Sequence, residues 1–86
     1  MDADLYQMTY FATFFSHFGA MRYQQLCREQ GIECRVMPVP RNLSSSCGTC
    51  VRCEGRWLEP QGEAAGDVER IAAWDGRSYT PAVSYT

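Results

Sequence analysis

The run LYQMTYFATFF, residues 5–15, contains no proline or glycine and is dense in aromatic and β-branched side chains, the composition of a strand. Side chains alternate along a strand, so Met8, Tyr10, Ala12 and Phe14 share one face and Thr9, Phe11, Thr13 and Phe15 the other. Both faces are largely apolar, which suits a central strand. The chain has 86 residues, so a single domain over residues 1–86 with a modest core is expected.

The neighbouring segments supply the rest of a layered fold. Ser16 predicts the N-cap of a helix reaching about Gln30, and Gly31 is its left-handed stop. Ala20, Tyr23 or Gln24, and Cys27 recur at helical spacing, which places Cys27 in the core. His17 falls in the first turn of that helix, where the dipole disfavours a cationic imidazole, so a neutral surface or capping residue is expected. Residues 32–37 (IECRVM) alternate, with Ile32, Cys34 and Val36 on the apolar side, and Pro38 and Pro40 end the strand. Residues 49–54 (TCVRCE) predict an antiparallel return strand.

Val68, Ile71 and Ala72, with Ala64 or Ala65, line one helical stripe, so residues 59–66 are expected to turn and then start a second helix that runs to about Trp74. Residues 78–85 predict a last strand, demoted by Pro81 to an edge or bulged position. Trp57 and Trp74 are expected to cap the core. The resulting order, βαββαβ, is an α+β ferredoxin-like split β-α-β plait with two helices on one face of an antiparallel sheet. The other sheet face stays open, a surface for a homodimer.

Composition narrows the function. Charged residues are 21% and the formal net charge is −2, so no global field favours nucleic acid. No apolar run approaches the ~18 residues of a membrane span, and two aspartates near the start argue against a secretory signal, so a cytoplasmic location is expected. Five cysteines are an odd number, which argues against a closed disulfide framework. No general acid/base set, phosphate loop or basic stacking surface is present, which favours a carrier or binding domain over a stand-alone enzyme.

The chemistry concentrates in residues 38–53, PVPRNLSSSCGTCVRC. Small residues flank Cys47, so successive backbone N–H groups can converge as an anion-binding nest, and Gly48 permits the positive φ a nest needs. Ser44, Ser45 and Ser46 add hydroxyl donors, and Arg41 and Arg52 stand close in sequence as sources of positive charge. Donors and cations favour thiolate over thiol and make the sulfur a nucleophile.

Cys50 and Cys53 open rival readings. Cys50 is a candidate second thiol, and Cys47 with Cys50 would make a dithiol redox module if the turn bends at Gly48. Within one strand Cys50 and Cys53 would lie about 10 Å apart on opposite faces, too far to bridge. Cys53 then faces the core, while Cys50 shares its face with Arg52 and is expected to be accessible. A zinc or iron–sulfur site lacks a fourth downstream ligand, and Cys34 or His17 would have to complete it. No metal and no cofactor is therefore expected. A Cys-rich metal-binding domain or a purely interaction domain stays an alternative.

The segments TFFSHFGAM, Gly31-Ile32 and RVMPVPRNLSSSCGTCVR resemble the selenium/sulfur carrier protein-like family of small bacterial domains, with its IPVPR-x-[IL]-S-[SA]-S-C-G segment leading into a strand. The resemblance covers about residues 13–53. It implies a plait-like fold and a carrier role centred on Cys47, which would hold sulfur or selenium as a persulfide or selenenylsulfide between donor and acceptor proteins. This chain departs from the pattern at Cys50, where a small or apolar residue is common, and at Cys53, where a larger apolar one is.

Overall fold

The computed structural model describes residues 8–43 and 45–84. Strand β1 runs Thr9–Phe14, helix α1 His17–Glu29, β2 Cys34–Pro38 and β3 Thr49–Glu54. A short 3-10 turn over Gly62–Gly66 leads into β4, Val68–Trp74, and β5, Tyr79–Ser84, closes the order. One five-stranded antiparallel sheet results, ordered β2-β3-β1-β4-β5. Residues 5–7 and Tyr85, expected as strand, lie outside the described residues.

The two-faced strand is central, as its composition requires. Ala12 and Phe14 enter a cluster under α1 with Val51, Cys53, Val68 and Ile71, while Phe11 faces the other way beside Cys50 and Ala72. Helix α1 begins where the hydroxyl of Ser16 accepts the Gly19 N–H at 3.1 Å and ends before Gly31, whose φ is 76°. Its buried stripe is Gly19, Ala20, Tyr23 and Cys27. Trp57 packs against the cluster under α1 and Trp74 against the opposite one. No helix among the described residues is long and apolar enough to cross a membrane.

The expected second helix does not form, and the two-helix plait is corrected to an α+β fold in which α1 is the sole α-helix among the described residues. The register explains why its residues resembled a helix. Thr13 pairs with Arg70 but Phe14 pairs with Val68, so β4 carries one extra residue at Glu69. That irregularity turns both Val68 and Ile71 toward α1, a spacing of three that a regular strand forbids and a helix favours. Pro81 sits at a second slip, where Ile71 pairs with Val83 and Ala72 with Pro81, on the outermost strand.

The face away from α1 is not bare either. Leu43 from the β2–β3 loop is buried there with Phe11, Cys50 and Ala72, and Met37, Val39, Trp74 and Tyr79 pack around them. Phe11 meets Tyr79 edge-on at 5.6 Å between ring centroids, and Trp74 lies 4.6 Å from Tyr79.

Helix α1 leans hard on the start of β4. A Cβ on Gly19 would stand 2.7 Å from the Cβ of Asp67. Asp67 cannot retreat, because its carbonyl accepts the Phe15 N–H at 3.1 Å and its Oδ2 takes Arg22 Nε at 2.9 Å and Nη2 at 2.6 Å. Alanine gains about 1 kcal/mol of helix propensity over glycine, but overpacking costs about 1–3 kcal/mol. Gly19→Ala is therefore expected to lower stability by about 1 kcal/mol, read as a lower urea midpoint, where an exposed helical glycine would show a gain.

Candidate functional site

The loop between β2 and β3 wraps the end of the sheet from one face to the other. Its neck closes where Val39 N–H donates to the Gly48 carbonyl at 3.0 Å, and the Leu43 N–H turns back onto Pro40 at 3.0 Å. Leu43 anchors the loop in the cluster away from α1, whereas Cys47, four residues on, packs against the cluster under α1. Between them the Ser45 hydroxyl donates to the Phe14 carbonyl at 3.3 Å. Gly48 then adopts φ 77°, the left-handed geometry that glycine tolerates at no steric cost, and feeds the chain into β3.

Cys47 is half-buried, with Sγ 3.5 Å from the Thr49 carbonyl oxygen. The Thr49 hydroxyl lies 3.3 Å from Nδ1 of His17, the first residue of α1. Thr49 thus links the two, its carbonyl meeting the candidate thiol and its hydroxyl the side chain of the first helical residue. His17 is exposed, as expected for a surface residue, and its position next to Thr49 follows from the β1–α1 junction rather than from any motif.

The groups expected to surround the sulfur divide. Ser45, Ser46 and Gly48 lie in its turn, and Arg41 is exposed in the same loop. Ser44 lies outside the described residues. Arg52 projects from the opposite face, stacked 6.0 Å from the Phe11 ring centroid and bonded through Nε to Glu54 at 2.6 Å, so it is not brought to Cys47. Cys50 and Cys53 do face opposite sides of β3. The expected accessibility of Cys50 is corrected: it is 0% exposed, because Leu43 and Val39 cover its face, and its thiol lies 3.8 Å from the Pro38 carbonyl. Burial, with Cys47 nearby, pushes the Cys50 thiol up to about 11. Cys47 and Cys50 thus belong to clusters on opposite faces. No group of three or more His, Cys, Asp or Glu among the described residues is arranged to hold a metal ion.

Sequence reasoning missed Glu69. From the irregular start of β4 its carboxylate takes the Ser46 N–H at 3.1 Å and the Ser46 hydroxyl at 2.5 Å. These donors hold the loop in shape and are committed to Glu69 rather than to the sulfur. Burial pushes the Glu69 carboxyl up, but the Ser46 hydroxyl and amide, with Arg70 nearby, outweigh it and hold it below the ordinary range. A depressed carboxylate contributes fully above its unfolded value and loses that contribution as pH falls through the folded one. Hydrogen-exchange protection of the Ser46 amide should therefore fade only as the pH falls below the ordinary glutamate range. Glu69→Ala should remove it at neutral pH at a stability cost of about 1 kcal/mol, small because the contact is exposed.

No curated protein and no solved structure matches this chain. A family model does, that of the putative Se/S carrier protein-like family, over residues 9–59. The matched segment begins at the first residue of β1 and takes in α1, β2, the Cys47 loop and β3. The chain belongs to the putative Se/S carrier protein-like family.

Proposed function

We propose that this protein carries sulfur or selenium on Cys47. The observation behind this reading is the thiol's position. Cys27, Cys50 and Cys53 are sealed in the core, whereas Cys47 is half-buried in a loop at the sheet end. Cys34, also partly accessible, packs against the cluster under α1 from the outer strand β2.

The step is a displacement at sulfur. The Cys47 thiolate attacks the outer sulfur of a donor protein's persulfide, the donor's sulfur–sulfur bond breaks, and the donor thiolate leaves with that bonding pair. Cys47 then holds the outer sulfur as a persulfide until an acceptor thiolate attacks it in the same way, restoring the Cys47 thiolate. With selenium the carried form is a selenenylsulfide. Either adduct is anionic, and Arg41, exposed in the same loop, is the candidate counter-charge. The positive φ at Gly48 and the Ser45 and Ser46 contacts shape the turn that presents it.

Incubating the reduced protein with a persulfide donor and reading its intact mass tests the reading. One added sulfur atom is expected in the natural protein and none in Cys47→Ser. An unchanged adduct in Cys47→Ser sinks it.

A further inference from the structure

The cluster under α1 contains thiols that carriage on Cys47 does not use. Cys27 lies in the last turns of α1 and Cys53 on β3, both 0% exposed, with their sulfurs 3.9 Å apart. Cys34 is the register partner of Cys53 on β2, but its sulfur turns toward the Gln24 carbonyl at 3.5 Å. Two sulfurs in contact need to approach by about 2 Å to reach bonding distance, a movement that two side chains and one helix can share.

We propose that Cys27 and Cys53 form a second redox site, which closes to a buried disulfide on reaction with a small peroxide. Cys27 is the attacking sulfur. Its hydrogen bond with Cys53 outweighs burial and holds its thiol below the ordinary value, while the same contact and burial push Cys53 up. The Cys27 thiolate attacks one peroxide oxygen, the O–O bond breaks, and the departing hydroxide takes up the proton Cys27 released, giving water and a sulfenic acid. The Cys53 sulfur then attacks Cys27 sulfur. The S–O bond breaks, and the second water leaves with the Cys53 proton. Two thiols are oxidised by two electrons, and one hydrogen peroxide becomes two waters. A small uncharged oxidant is required because neither sulfur is exposed. The bond would tie the end of α1 to the sheet, and the site works without Cys47, independently of the carrier reading.

Cleavage after arginine places Cys27 in residues 23–28, Cys34 in 29–35, Cys47 and Cys50 in 42–52, and Cys53 in 53–56. The test treats the full, reduced chain with hydrogen peroxide, caps remaining thiols after unfolding, and maps peptides without reduction. The expected result is a loss of two hydrogens in intact mass, with peptide 23–28 joined to 53–56, and the same linkage in Cys47→Ser. Cys53→Ala should lose the linkage, leaving a sulfenic acid on Cys27 that a carbon nucleophile traps. Cys27 and Cys53 recovered as capped thiols, or a bond from either one to Cys34 or Cys47, would overturn the proposal.

Discussion

Phe14→Ala is expected to lower stability by about 3–5 kcal/mol, the cost of emptying a large, fully enclosed aromatic site. Phe14 is 0% exposed and lies at the join of three elements. Its ring meets that of Tyr23 on α1 at 5.4 Å between centroids, and Val68 of β4 is its register partner. The cavity cannot collapse easily, because the irregular pairing at Val68 and the close approach of Gly19 to Asp67 fix α1 and β4 on either side. Small domains have only about 5–15 kcal/mol in total, so the variant should sit near the edge of folding. Urea unfolding reads this as a large fall in midpoint at nearly constant slope, and a loss below about 1 kcal/mol would contradict this packing.

Tyr23→Phe is the second large effect, and here a single oxygen decides it. The Tyr23 hydroxyl donates to the Leu58 carbonyl at 2.6 Å and accepts the Leu58 N–H at 3.0 Å, satisfying both backbone groups of a segment that has no ladder of its own. Phenylalanine leaves the packing in place but strands both Leu58 groups against a partly buried surface. The expected cost is about 1–3 kcal/mol, with loss of exchange protection at the Leu58 amide. An unchanged Leu58 amide would show that water replaces the hydroxyl there. Burial pushes the phenol well above its usual value, so the bond should persist into alkaline solution.

The half of the chain up to β3 is readable because its local signals agree. Alternation locates β1, β2 and β3, Ser16 and Gly31 bracket α1, and Pro38 ends β2. The same alternation turns Cys53 toward α1 and Cys50 away from it. β4 is unreadable by that logic, since one extra residue at Glu69 converts a period of two into a spacing of three and mimics a helical stripe. That error hides Glu69, and with it the contact that orders the loop at Ser46. The burial of Cys50 was hidden for a different reason. A loop residue, Leu43, covers the sheet face, and nothing in local periodicity shows where a loop will fold back. Arg52 is close to Cys47 in sequence yet lies on the other face, because its parity on β3 matches Cys50 and not Val51.

The central claim, that Cys47 is the sulfur that carries, is tested most directly by locating the carried atom. The reduced protein is loaded from a persulfide donor, its thiols are capped, and peptide 42–52 is fragmented to separate Cys47 from Cys50. The added sulfur is predicted on Cys47, and it should leave when an acceptor thiol is supplied before capping. An added sulfur found on Cys34 or Cys50 instead, or one on Cys47 that no acceptor removes, would contradict the account.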